Sequence, residues 1–184
     1  MEPDRKRPKL MYKELVFDNN RCYNILLIGK RGTGKTTFIK NFIKDCKYNF
    51  IFNNNLAKLE KDFYNNLNEN IKCTVIENNP YIFDNPSNFI KELFYNSMSY
   101  YNNLIISQQY PIFIKSTLRS NFNYIFIGKG ENEHNLKNIW KWYGGFIDKL
   151  DEFINMYKSI TKNNRFMVID FMSRDINNMI FVYN

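Results

Sequence analysis

Apolar positions along the chain alternate between two textures. Short aliphatic runs stand where a strand buried on both faces would, and between them apolar residues recur three or four apart, as on one face of a helix. The run Ile25–Ile28 predicts a first core strand, and Phe38, Ile39, Phe42, Ile43 and Cys46 predict a helix after it. Tyr48–Phe52 reads as a strand halted by Asn53-Asn54-Asn55, and Leu56, Leu59, Phe63 and Leu67 mark the next helix. Ile71–Ile76 is another buried strand, ending in Glu77-Asn78-Asn79-Pro80. Asn85-Pro86 has the residue types of a helix start, ahead of the apolar face Phe89, Ile90, Leu93 and Phe94. Asn103–Ser107 and Asn123–Ile127 are strands, with a short helix expected before Arg119.

Two further helices are divided by Gly144-Gly145. Leu136, Ile139, Trp140 and Tyr143 stripe the first, and Ile147, Leu150, Phe153, Ile154 and Tyr157 the second. Phe166–Phe171 and Met179–Tyr183, joined by a polar segment, read as an antiparallel hairpin. Strands alternating with helices specify an α/β fold with a central, mostly parallel sheet flanked by helices. The closing hairpin extends one edge of that sheet.

Composition bounds this picture. A chain of 184 residues suits one domain with a sizeable core. The expected division is a disordered basic tail and lead-in over residues 1–20, then a single domain over residues 21–184. Residues 1–9 hold two prolines and four basic residues and little to bury. The cluster Arg5-Lys6-Arg7-Pro8-Lys9 fits a nuclear address, a polyanion-binding arm or a solubilising tail equally well. No run is long and apolar enough for a membrane helix, and no signal peptide is visible. Cys22, Cys46 and Cys73 are scattered, which argues against a disulfide framework or a zinc site. The single His134 excludes a histidine-rich metal centre. The net charge of +8 favours polyanionic partners.

The chemistry concentrates where the first strand ends. Gly29-Lys30-Arg31-Gly32-Thr33-Gly34-Lys35-Thr36 matches G-x-x-x-x-G-K-[ST], and Thr37 follows inside a helix. Glycines let backbone N–H groups turn inward, and a helix N-terminus favours an anion. This strand, loop and helix form a phosphate-binding loop, and the fold class becomes that of a P-loop NTPase. Lys35 is placed for the β- and γ-phosphates of ATP and the Thr36 hydroxyl for Mg²⁺. A second acidic group is needed at the end of another buried strand. Glu77 is preferred for its longer strand, with Asp84, which also follows an apolar triplet, as its rival. Gln108 ends a strand and is a candidate for touching the γ-phosphate or the attacking water. Arg119 is a candidate for stabilising transition-state charge on a neighbouring subunit's nucleotide. A polar loop residue is an equally good reading of Gln108, and a surface arginine is the simpler reading of Arg119.

The series GKRGTGKTT, VIEN, ELFYNSMSYYNNLIISQQYP and LRSNFNYIFI resembles the genome-packaging ATPases of poxviruses, other large DNA viruses and virophages, of the FtsK/HerA class. The resemblance runs from about Tyr23 to Tyr183. It makes Gly29–Thr36 the nucleotide loop, Glu77 the first acid of the second motif, Gln108 the sensor glutamine, and Arg119 the arginine of the following segment. It implies an ATPase that pumps double-stranded DNA, without reading sequence, into a preformed capsid. The partners it implies are further copies in a ring and a viral capsid or portal component, with no membrane. The setting is the host cytoplasm or viral factory, the nucleus if the basic tail is an address, or the virion. Lys115, Lys129, Lys137 and Lys141 are candidate DNA contacts. Two departures stand out. Asn78 replaces a second acid, which leaves open a nucleotide-binding assembly or regulatory protein with little turnover. Tyr100-Tyr101-Asn102 replaces the family's Gly-Arg-His. A GTPase or small-molecule phosphotransferase is disfavoured, since no Asn-Lys-x-Asp motif and no arginine-rich lid occur.

Overall fold

The computed structural model describes residues 12–18, 20–44, 48–52, 55–67, 72–79, 83–175 and 178–184. Its centre is an eight-stranded sheet. In chain order the strands are β1 (Lys13–Glu14), β2 (Asn24–Ile28), β3 (Tyr48–Phe52), β4 (Lys72–Glu77), β5 (Asn102–Gln108), β6 (Tyr124–Ile127), β7 (Phe166–Asp170) and β8 (Ile180–Tyr183). They lie side by side as β1-β8-β7-β6-β2-β5-β4-β3. The block from β6 to β3 is parallel throughout. β7 runs antiparallel to β6, and β8 antiparallel to β7, so the closing hairpin does extend one edge. β2 and β5 are buried along their whole length, as central parallel strands with both faces covered must be.

The helices are α1 (Lys35–Ile43), α2 (Leu56–Asn65), α3 (Asn88–Asn96), α4 (Ser116–Arg119), α5 (Glu133–Tyr143) and α6 (Leu150–Ile160). Two apolar layers sandwich the sheet. One joins Leu26, Ile28, Leu104, Ile106, Ile125 and Ile127 to residues of α2 to α6. The other joins Ile25, Leu27, Val75, Ile105 and Phe126 to Phe38 and Ile39 of α1. Successive strand residues therefore go to opposite layers, the period-2 alternation of a pleated strand.

Several boundaries differ from the sequence reading. Asn85 does not cap α3. The cap is Ser87, whose Oγ accepts from the Ile90 N–H at 3.3 Å. Leu67 lies beyond the end of α2, and Ile147 lies before α6. Cys46 and Ile71 fall outside the described residues, as does the basic tail of residues 1–11. The lead-in, set apart from the domain on sequence, is part of the packed structure from residue 12. β1 pairs in parallel with β8, and Leu15 is buried. The Phe17 ring lies 5.0 Å from Phe42, 5.7 Å from Tyr124 and 6.2 Å from Phe126, centre to centre. The lead-in thus helps α1 cover the layer that carries no other helix among the described residues.

A phosphate-loop cavity at the strand ends

β2 delivers the chain into the phosphate loop at the C-terminal edge of the sheet. The Gly29 N–H donates to the Gln108 carbonyl at 3.1 Å, tying the loop's first residue to β5. Gly34 stands at the N-cap of α1 with φ of 89°, a left-handed conformation that glycine adopts without Cβ strain. On the other side, Gly128 follows β6 so closely that a Cβ there would come within 2.9 Å of the Thr33 Cβ. The Thr33 hydroxyl donates back to the Lys30 carbonyl at 2.9 Å, closing the loop on itself.

A cavity of about 470 Å³ opens over this loop. One wall is Arg31, Gly32, Gly34, Lys35, Thr36 and Thr37, and the facing wall is Glu77, Asn78, Ser107 and Gln109. The free N–H groups at the start of α1 and the Lys35 ammonium make the first wall electropositive. Lys35 is 8% exposed, and its Nζ donates to the carbonyls of Gly29 and Lys30. Burial lowers its pKa, opposed by the negative charges of Glu131 and Glu77. Thr36 and Glu77 both line the cavity, one with a hydroxyl and the other with a carboxylate. That donor set suits Mg²⁺, a hard cation bound through one or two protein oxygens plus phosphate oxygens and water.

The other sequence candidates separate. Asp84 is exposed and does not line the cavity. Gln108 does not line it either. It is 2% exposed, and strand alternation sends its side chain to the layer of Leu104 and Ile106, away from α1. Its neighbours Ser107 and Gln109 are the β5-end residues that face the cavity. Arg119, at the end of α4, packs in the same far layer. Its Nη1 donates to the Ile114 carbonyl at 3.5 Å, and its guanidinium lies 5.8 Å from the Tyr143 ring centre. Asn78 lines the cavity with φ of 50°, a left-handed conformation that asparagine tolerates better than most residues. Tyr100-Tyr101-Asn102 sits at the opposite end of β5. Lys115, Lys129, Lys137 and Lys141 are all exposed.

Sequence reasoning missed Glu131. It follows β6 and is 8% exposed behind the phosphate loop. Its Oε2 accepts from the Asn135 amide at 2.7 Å, and its Oε1 has no partner among the described residues. Burial raises its pKa, opposed by that hydrogen bond and by Lys30 and Lys35. The available signal was an acid shortly after a buried strand, the same signal that selected Glu77.

The chain has relatives and structural neighbours. The family described as "ATPase family associated with various cellular activities (AAA)" matches residues 25–106. An uncharacterized protein, 075L, of Invertebrate iridescent virus 6 is 28% identical over 189 residues, covering 82% of this chain and 71% of that protein. The genome packaging NTPase B204 from Sulfolobus turreted icosahedral virus 2, in complex with ATP-gammaS, superposes with a TM-score of 0.69 at 13% identity. The overlap covers 91% of this chain and 98% of that one. The DNA-packaging ATPase B204 from Sulfolobus Turreted Icosahedral Virus gives 0.68 at 15% identity, over 88% and 97%. At such identities the likeness is one of fold, and the fold is that of a P-loop NTPase.

Proposed function

We propose that this protein is an ATP-driven motor that moves double-stranded viral DNA into a preformed capsid. The observation that carries the reading is the cavity in which the phosphate loop, with Lys35 and Thr36, faces Glu77 across the strand ends. Its support is the fold shared along nearly all of the chain of B204, a genome packaging NTPase. On this reading the loop N–H groups and the start of α1 hold the phosphates of ATP. Lys35 exchanges its two loop carbonyls for the β- and γ-phosphate oxygens. Thr36 and Glu77 would hold Mg²⁺, which would supply charge neutralisation at the phosphates. The Glu77 carboxylate orients the attacking water. Arg119 faces away from its own cavity, so it acts on a neighbouring subunit's nucleotide within a ring. The net charge of +8 favours sequence-independent grip on DNA phosphates. The setting is the viral factory or host cytoplasm, with a capsid or portal component as docking partner.

A second reading has one observation in its favour. Asn78 occupies the cavity position beside Glu77, and its amide cannot take a proton. A nucleotide-binding assembly or regulatory protein with little turnover would have such a site. ATPase assays with and without double-stranded DNA separate the two. The motor reading expects DNA-stimulated phosphate release that falls roughly 100-fold in Lys35→Ala. Tight ATP binding with no release, even with DNA and capsid components present, selects the second reading.

A further inference from the structure

β5 lies between β2 and β4, so its C-terminal end runs beneath the cavity, between the phosphate loop and the Glu77 wall. Which β5 side chain looks into the cavity depends on strand parity. Ile105 shares its layer with Phe38 of α1, whereas Leu104 and Ile106 belong to the opposite layer. Ser107 continues the Ile105 series and Gln108 the Ile106 series. Ser107 is also the register partner of Glu77 on one side and of Leu27 on the other, in two parallel pairings. Register partners in parallel strands point to the same face, so the Ser107 hydroxyl stands beside the Glu77 carboxylate.

Ser107 is 1% exposed, and its Oγ has no hydrogen-bond partner among the described residues. Buried hydroxyls are ordinarily paired. One that is sequestered, unpaired and turned into a cavity lined by Lys35, Thr36 and Glu77 is poised to donate to a ligand oxygen. The cavity's charge and its helix N-terminus make that oxygen a phosphate oxygen. Resting on the nucleotide-site reading above, we propose that Ser107 is the β5 residue that recognises the terminal phosphate of the bound nucleotide. Gln108, whose Nε2 is likewise buried without a partner among the described residues, belongs by strand parity to the far layer and does not line the cavity. Ser107 thereby distinguishes triphosphate from diphosphate, since only the former places oxygens next to Glu77.

The test is the ratio of ATP to ADP affinity, measured by calorimetry with Mg²⁺ on folded protein. In Ser107→Ala, ATP affinity is expected to fall about tenfold, the loss of one hydrogen bond to a charged oxygen, with ADP affinity changed far less. Ser107→Thr, which keeps the hydroxyl, is expected to restore the ratio. An unchanged ratio in Ser107→Ala overturns the assignment. So does a ratio lost in Gln108→Leu and kept in Ser107→Ala. If the unaltered protein binds no ATP, or Lys35→Ala binds it equally well, the nucleotide-site reading itself falls and this assignment with it.

Discussion

Glu77 and Glu131 approach the phosphate loop from different sides and behave differently. Glu77 is half-buried at the cavity wall, whereas Glu131 is sealed behind the loop. Glu77→Gln keeps the shape of the wall and removes the charge. We expect it to leave ATP binding within a few-fold and to lower turnover roughly 100-fold, read by single-turnover phosphate release. If Asp84→Asn has that effect instead, the acid has been misassigned. Glu131 bears on stability. Burial raises its pKa, so the folded state binds its proton more tightly than the unfolded chain does. The stability this proton confers is fully present below the ordinary carboxylate range and is lost as pH rises through the raised folded value. Asp170, also raised by burial, adds a slope of the same sign. Glu131→Gln is expected to flatten part of this decline, so that its melting temperature exceeds that of the unaltered protein at neutral pH by more than at pH 4. Equal differences at both pH values would dismiss Glu131 as a source of the slope.

Among the elements, the lead-in has the clearest measurable weight. Phe17 touches rings from α1 and β6 and the Tyr183 ring of β8. Truncating it to Ala should cost roughly 2–4 kcal/mol, visible as a lower denaturant midpoint. An unchanged midpoint would mean that residues 12–18 do not hold this layer together. The lead-in was hard to see in the sequence because its two apolar anchors, Leu15 and Phe17, follow a charged tail and pack on residues far along the chain. The strands and helices were legible, because runs such as Tyr48–Phe52 and the spacing of Phe89, Ile90, Leu93 and Phe94 are local signals. The face presented by each strand end was not. β5 is buried on both sides from Asn102 to Gln108, so it carries no polar-apolar alternation to tell Ser107 from Gln108. The phosphate loop and the place of Glu77 across from it were legible, since both follow from where buried strands stop.

The molecule as a whole is lopsided. Helices α2 to α6 share one layer, while α1 and the lead-in hold the other. The cavity opens on the α1 side, and Arg119 sits in the far layer. One subunit therefore does not bring Arg119 to its own cavity, so the role proposed for Arg119 requires a neighbouring subunit. Mixing Arg119→Ala subunits with Lys35→Ala subunits is expected to restore part of the activity that each lacks alone, since some interfaces then combine an intact loop with an intact arginine. Mixtures no more active than their components would argue that Arg119 does not work across an interface. Particle size by light scattering should rise to a closed ring with an ATP analogue and DNA.

The chain's only tryptophans, Trp140 and Trp142, both lie in α5. The Trp140 indole donates to the Ile147 carbonyl at 2.8 Å, fixed within its own helical corner. Trp142 instead packs edge-on against Phe113, 5.9 Å between centres. Phe113 belongs to the segment that follows β5 and starts with Gln109, a cavity-lining residue. The protein thus contains its own optical pair, with one emitter anchored and the other resting on the segment that runs from the phosphate-loop cavity. On the proposed function, added ATP is expected to change the intrinsic fluorescence, and a Trp142→Phe variant that loses the change assigns it to that emitter; unchanged emission in the unaltered protein would mean that the segment does not respond to ATP.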